Sequence, residues 1–144
     1  MNRRDCKSTS FKGLMVAQFL GAFNDNAFKI LVSFLIIRTI PAPEAATRFI
    51  SLIGALFILP FILFSPYAGF CADRFRKRSV LVGTKVAEIV IMALGLFAML
   101  SGNLTAICFI LFLMATQSAF FSPAKYGILP EILDEENLSK GNGY

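Results

Sequence analysis

The chain has 144 residues, of which 56% are hydrophobic and 16% are charged, and its mean hydropathy is +0.69. Soluble domains are typically about 45–50% apolar and about 25% charged, so this composition predicts a membrane protein. Histidine is absent, which excludes histidine metal sites and Ser-His-Asp triads. The net charge is +5, but the basic residues lie between apolar runs, which is typical of membrane topology and argues against a nucleic-acid interface.

Four runs are long and apolar enough to cross a bilayer, which takes about 20 residues. They cover approximately residues 14–37, 49–70, 79–100 and 104–126. The connections between them are short, which favours antiparallel neighbours. We therefore predict an all-α, polytopic membrane protein with four transmembrane helices.

The first run carries polar residues on one helical face. The residues at spacings of three and four are Gln18, Gly21, Ala22, Asp25, Lys29 and Ser33. A charge at bilayer depth is expensive and usually functional. The alternative is that Asp25 and Lys29, one turn apart, neutralise each other and only steady the packing. The opposite face suits lipid or neighbouring helices and carries Phe19, Phe23, Ile30, Leu31 and Phe34.

The second run contains two prolines and two glycines, followed by a basic segment. Pro60 and Pro66 predict kinks, and Gly54 and Gly69 predict close approach of another helix. After Gly69 the chain reads Phe-Cys-Ala-Asp-Arg-Phe-Arg-Lys-Arg. Within it, we expect Asp73 to cap a helix N-terminus or to pair with an arginine.

The third run carries two opposite charges three residues apart. Lys85 and Glu88 have the spacing of a local ion pair, and the deeper Glu88 needs a partner. Lys85 lies near the end of the run and can extend to the membrane surface. We expect both residues to have a structural or gating role.

The fourth run places Ser118, Ser122 and Lys125 on one face. We expect Pro123 to interrupt the helix at this point. A substrate role for Lys125 and its extension to the membrane surface are equally compatible with the pattern. The tail over residues 129–144 carries Glu131, Asp134, Glu135 and Glu136 and leads towards a further helix.

Basic residues divide unequally between the two sides of the predicted bundle. One side holds Arg3, Arg4, Lys7, Lys12 and the cluster over residues 74–78, and the other holds Arg38 and Arg48. Lys125 and Lys140 lie near the first of these sides. The positive-inside rule then predicts that the N-terminus, the second connection and the tail are cytoplasmic. A cleaved signal peptide is the alternative for the N-terminus, but the apolar sequence continues to Ile37.

The three cysteines, Cys6, Cys71 and Cys108, form neither a disulfide framework nor a zinc motif.

The segment from Gly69 to Arg78 resembles the signature Gly-x-Leu-Ala-Asp-Arg-x-Gly-Arg-Arg of the major facilitator superfamily, with Cys71 at the leucine and Arg76 at the second glycine. Three further stretches are similar to the lysophospholipid transporter branch of that family. They are Gln-Phe-Leu-Gly-Ala-Phe-Asn-Asp-Asn over residues 18–26, Phe-Ser-Pro-Ala-Lys-Tyr-Gly-Ile-Leu-Pro-Glu over 121–131, and Leu-Ser-Lys-Gly-Asn-Gly over 138–143.

This resemblance implies a flippase of the bacterial inner membrane that moves lysophospholipids, chiefly lysophosphatidylethanolamine, by alternating access. It also implies two six-helix halves built from inverted three-helix repeats. Residues 1–144 would then be a partial N-terminal transporter domain, most of one half, with a fifth helix following the tail. Some members of the branch are fused to an acyltransferase and an acyl-carrier-protein synthetase, so a fused or separate acyltransferase is a candidate partner beside the membrane lipids.

These expectations assign roles to individual residues. We expect Asp25 to bind the headgroup ammonium or a coupling cation, and Lys125 or Lys29 to bind the phosphate, with Gln18 and Ser122 on the same wall. The connection between the second and third helices would latch the two halves, through Gly69, Asp73, Arg74, Arg76, Lys77 and Arg78. No cofactor, metal or nucleic acid is implied.

Three other functions fit parts of the pattern. An exporter of drugs or small solutes in the same superfamily shares the loop signature but not the other stretches. The membrane part of an acyltransferase would need catalytic residues outside this sequence, since no catalytic pair occurs in it. A free-standing four-helix scaffold or small dimeric exporter would have to be stable with its polar faces unpaired.

Overall fold

The computed structural model of the protein describes residues 3–132, with side chains from residue 10 to residue 130. Four helices follow one another: α1 (Arg3–Thr39), α2 (Pro43–Arg74), α3 (Lys77–Leu100) and α4 (Leu104–Ile132). All four are long and apolar enough to cross a membrane, which confirms the predicted class. The part of the tail over residues 133–144, and its expected approach to a fifth helix, lie outside the described residues.

The helices extend beyond the apolar runs that predicted them. α2 begins at Pro43, six residues earlier than expected, because proline is well suited to the first helical position. It continues through Pro60 and Pro66 to Arg74. The apolar run marks the part of a helix within the hydrocarbon layer, while polar turns at either end continue the same helix.

The prediction that Pro123 interrupts the fourth helix is wrong. α4 continues through Pro123 and Pro130 and ends at Ile132, six residues past the expected Tyr126. A proline inside a membrane helix is tolerated where neighbouring helices satisfy or cover the freed backbone groups. Pro123 is half-buried among its neighbours, and the next residue, Ala124, is fully buried.

The turn between α3 and α4 has a defined geometry. Gly102 adopts a left-handed backbone with φ of 63°, which favours a residue without a Cβ. Asn103 follows, and its side-chain Oδ1 accepts a hydrogen bond of 3.2 Å from the backbone N–H of Ala106. This side-chain cap starts α4 and turns the chain back along α3.

α4 is the central helix of the described bundle, since it packs against each of the other three and most extensively against α2 and α3. Two apolar clusters hold the helices together. The larger one contains Phe28, Val32, Ile36, Ile53, Ala98, Ile107, Ile110, Leu111 and Met114. The smaller one contains Leu14, Ala72, Leu81, Ala124 and Leu129. On α1 and on α4 alike, polar residues occupy the interval between these two clusters.

One close approach is made by a glycine that the sequence did not single out. A Cβ at Gly95 would lie 3.0 Å from the Phe28 ring and 3.2 Å from Ile110, so α3 packs tightly against α1 and α4 here. By contrast, a Cβ at Gly54 or at Gly69 would meet nothing within 4 Å. Within the described residues, the prediction of close helix approach at those two glycines is therefore wrong.

Candidate functional site

A polar cavity of about 190 Å³ lies between the two apolar clusters. It is bordered by all four helices, and polar side chains provide much of its wall. Its lining residues are Gln18, Gly21, Ala22, Asp25, Phe61, Lys85, Gln117, Ser118, Phe121, Ser122 and Lys125.

The structure brings four of the five predicted substrate-binding residues to this cavity. Gln18, Asp25, Ser122 and Lys125 all line it. Lys29 does not, because its long side chain extends to α2, where Nζ lies 4.1 Å from the centroid of the Phe57 ring. This cation–π contact takes the charge away from the cavity.

The alternative role for Asp25 as the ion-pair partner of Lys29 is also wrong. No ion pair joins the two side chains in the described part of the chain. Instead, Asp25 Oδ2 accepts a hydrogen bond of 2.8 Å from the hydroxyl of Ser118 on α4. Ser118 is the one hydrogen-bond donor to Asp25 among the described residues, so the second carboxyl oxygen has none there.

Two buried oxygen atoms in the cavity wall have no hydrogen-bond partner among the described residues. They are Asp25 Oδ1 and Gln18 Oε1, whose residues are about two turns apart on α1. Buried polar atoms in folded proteins are nearly always paired, so an unpaired one calls for an explanation. Both atoms are acceptors, and a ligand that supplies N–H or O–H donors, or a cation, would satisfy them.

Glu88 is the centre of a second group of polar contacts beside the cavity. Its carboxylate pairs with Lys85 at 2.6 Å, accepts a hydrogen bond of 3.0 Å from Gln117 Nε2, and lies 3.4 Å from Asn24 Nδ2. The predicted local pair is confirmed, and Glu88 has the partners that its depth requires. α1, α3 and α4 are thereby joined through one carboxylate.

Ser118 lies where the two groups of polar contacts meet. Its hydroxyl is 2.8 Å from Asp25 Oδ2 and 3.0 Å from Gln117 Oε1, but it has one hydrogen to donate. If Asp25 no longer accepts the Ser118 hydrogen, that hydrogen is free to bond Gln117 Oε1. The amide of Gln117 is also the donor to Glu88, so Asp25 and Glu88 are connected through Ser118 and Gln117. Sequence reasoning missed Gln117, although an amide inside a strongly apolar span was a usable signal.

We expected Lys85 to extend to the membrane surface, but its side chain lines the cavity instead. Its Nζ lies 4.6 Å from the centroid of the Phe121 ring as well as beside Glu88. A Cβ at Gly21 would collide with this ammonium group. Because Gly21 has no side chain, the Lys85 ammonium group can lie directly against α1.

Lys125 provides a second positive group in the cavity wall. Its Nζ lies 4.7 Å from the centroid of the neighbouring Tyr126 ring, and it has no ion-pair partner among the described residues. Lys125 follows Ser118 by seven residues, which is about 10 Å along the axis of α4. Among the described residues, the cavity therefore offers an unpaired Asp25 oxygen at the level of Ser118 and an unpaired Lys125 ammonium group about two turns away along α4.

The predicted latch segment lies at the end of the bundle where α2 is followed by α3. Asp73 is exposed and makes no hydrogen bond or ion pair with the described residues, so its expected cap or arginine pair is not formed there. Arg74 lies 5.8 Å from the centroid of the Phe70 ring. The aliphatic stem of Lys77 packs over Gly127 of α4, where a Cβ would lie 3.0 Å from Lys77 Cε.

Comparison with known proteins identifies relatives of the chain. The family model described as Major Facilitator Superfamily matches residues 14–144. A Photorhabdus laumondii protein named lysophospholipid transporter LplT is 33% identical over 132 residues, and proteins of that name from Escherichia coli O1:K1 and Shigella boydii serotype 18 are 32% identical over 139 residues. The alignments cover 92% and 94% of this chain but only 31% and 32% of the relatives, so the chain spans about a third of their length. No solved structure matches the chain.

Neutralising Glu88 should destabilise the bundle because it leaves the part-buried Lys85 ammonium without its counter-ion. For Glu88→Gln we expect a loss of about 1–3 kcal/mol in the free energy of unfolding, measured by circular dichroism during denaturation in mixed micelles. Glu44→Gln removes the same charge at an exposed position of α2 and should stay within about 0.5 kcal/mol.

A second variant separates the ion pair from the other contacts of Glu88. Adding Lys85→Met to Glu88→Gln removes the unpaired ammonium and should restore part of the lost stability. Equal stability of Glu88→Gln and Glu44→Gln would show that the pair does not hold the helices together.

Proposed function

The chain belongs to the Major Facilitator Superfamily, and on this basis we propose that the protein is a lysophospholipid transporter. Support comes from the relatives named lysophospholipid transporter, which match nearly the whole chain. The chain would contribute four helices of the N-terminal half of a carrier with two six-helix halves. The substrate would be a lysophosphatidylethanolamine-like lipid, moved across the bacterial inner membrane by alternating access.

The observation that carries this proposal is the pairing of unsatisfied acceptors with an unpaired ammonium group in one cavity. A phosphoethanolamine headgroup presents an ammonium, which donates hydrogen bonds, and a phosphate, which accepts them. Asp25 Oδ1 would receive the ammonium, with Gln18 Oε1 two turns away on α1 as a separate acceptor in the same wall. Lys125 would receive the phosphate, with the Ser122 hydroxyl as a further donor in the same wall.

This assignment revises the expected set of residues in two respects. Lys29 is removed from the site, since its ammonium lies over Phe57 and outside the cavity. Lys85 takes a place in the wall, but its charge is already balanced by Glu88. Of the lysines in the described helices, Lys125 is therefore the better candidate for the phosphate.

Transport would proceed with the N-terminus on the cytoplasmic side, carrying the lysolipid inward for reacylation by a fused or separate acyltransferase. The uneven distribution of basic residues supports this orientation. The segment from Gly69 to Arg78 would latch the halves as they alternate. Asp73 suits this role because its exposed carboxylate has no partner among the described residues.

A second candidate function is export of a cationic solute by the same fold. The two unpaired acceptors at Asp25 and Gln18 favour it, since any buried ammonium or amine would satisfy them. A cationic solute has no group that pairs with the Lys125 ammonium, however, and the two positive charges would repel each other. Competition of lysophosphatidylethanolamine with organic cations for the same protein distinguishes the two functions.

Asp25→Asn should abolish most lysophosphatidylethanolamine uptake by spheroplasts that express the full-length protein. Asparagine retains an acceptor for Ser118 but loses the charge that would bind the ammonium. A hydrogen bond to a charged group contributes about 1.5–3 kcal/mol, so uptake at low substrate should fall roughly 10- to 100-fold.

The matched control for this experiment is Lys29→Gln, which neutralises a charge one turn away but outside the cavity. Its uptake should remain near that of the wild type at equal expression. Wild-type uptake by Asp25→Asn would remove the carboxylate from the substrate site, and equal losses in both variants would point to a general effect on folding.

Charge reversal at Asp73 should change the rate of transport without changing substrate affinity. The carboxylate lies at the end of the bundle, far along α2 from the cavity residue Phe61, so Asp73→Lys should lower the maximal uptake rate and leave the half-saturating concentration unchanged. Glu44→Lys makes the same charge change at the opposite end of α2. A latch role is contradicted if Asp73→Lys transports at the wild-type rate.

A further inference from the structure

A second, larger groove of about 660 Å³ opens near the end of the bundle that carries the connection between α2 and α3. It shares no lining residue with the polar cavity. Three helices form it, and its lining consists of Ser10, Gly13, Leu14, Arg78, Leu81, Val82 and Ile128. The groove is therefore a separate site from the polar cavity.

The floor of the groove is apolar and well packed. Leu14 and Leu81 are 8% and 9% exposed and belong to the smaller apolar cluster, while Val82 is 56% exposed at the edge. Gly13 leaves the groove open, since a Cβ at this position would meet nothing within 4 Å. Such a floor suits a hydrocarbon chain and provides nothing for a small hydrophilic ion.

The rim of the groove is positively charged. The Arg78 side chain is exposed, and it makes no hydrogen bond or ion pair with the described residues. It also lines an adjacent surface pocket together with Asp73, Phe75, Arg76 and Lys77. Residues 73–78 contain four basic groups and one acidic group, so the rim attracts anions.

The order of these groups along α3 matches that of a membrane lipid. Arg78 lies in the first turn of the helix, and Leu81 and Val82 follow one turn deeper, roughly 5–6 Å along the axis. A lipid phosphate beside the guanidinium would place its glycerol and first acyl carbons over the two apolar side chains. Ser10 on α1 adds a hydroxyl to the lining of the same groove.

We propose that this groove binds an anionic phospholipid of the leaflet on the side of the α2–α3 connection. The phosphate contacts Arg78, and one acyl chain lies along Leu14, Leu81 and Val82. A purely apolar occupant, such as another helix, leaves the guanidinium without a counter-charge. The bound lipid is a resident of the groove and does not pass through the polar cavity.

The experiment is native mass spectrometry of the full-length protein released from micelles containing phosphatidylglycerol. The wild type should retain phosphatidylglycerol in preference to phosphatidylcholine. Arg78→Gln should weaken retention roughly fivefold, which corresponds to about 1 kcal/mol per basic residue at a membrane surface. Arg76→Gln, which makes the same charge change outside the groove, should weaken it less.

A steric variant tests the groove itself. Gly13→Leu places a side chain into the open groove and should displace the retained lipid, whatever its headgroup. Gly83→Leu is the matched control, since its Cβ also meets nothing within 4 Å but the residue does not line the groove. Thermal denaturation of all four variants checks that each is folded.

Two results would overturn the proposal. Equal effects of Arg76→Gln and Arg78→Gln would show a diffuse layer of lipids around a basic surface, with no defined site. Retention that is unchanged in Gly13→Leu would show that lipid does not occupy the groove, as would be found if another part of the protein covers it. Neither result bears on the proposed binding of substrate in the polar cavity, which the Asp25→Asn uptake experiment tests separately.

Discussion

The hydrogen bond from Ser118 to Asp25 links the polar cavity to the rest of the bundle. It fixes one oxygen of a carboxylate that lies between two apolar clusters, where an unpaired charge is costly. It leaves the second oxygen without a donor among the described residues. Because the same hydroxyl also faces Gln117, the state of Asp25 is connected to the Glu88 ion pair on α3.

The apolar clusters determine how strongly these polar groups interact. Electrostatic interactions are stronger in a medium of low dielectric constant, and so is the penalty for leaving a polar atom unpaired. Glu88 avoids that penalty through its contacts with Lys85 and Gln117, while Asp25 Oδ1 and Gln18 Oε1 have no partner among the described residues. The part of the network that is satisfied holds three helices together, and the part that is not satisfied is where a solute would bind. This division separates residues that stabilise the bundle from those proposed to recognise substrate.

Features confined to one helix could be predicted from the sequence. The four spans, the outward face of Phe19 and Phe34, and the Lys85–Glu88 pair all follow from local composition or spacing. Contacts between helices could not, because they depend on how each helix is rotated about its axis. The hydrogen bond between Asp25 and Ser118 spans 93 positions in the chain. Lys29 shows the same limit, since spacing placed it on the polar face but its long stem reaches α2.

Cysteine accessibility tests most directly the proposal that a solute enters the polar cavity. Ser122→Cys would be introduced into full-length protein whose native cysteines are replaced by serine, and treated with a hydrophilic thiol reagent. If a solute enters the cavity, the thiol is labelled and lysophosphatidylethanolamine slows the labelling, while Ser101→Cys at the exposed α3–α4 turn is labelled equally with or without lipid. A Ser122→Cys thiol that is not labelled, or whose labelling is unchanged by the lipid, would contradict the proposal.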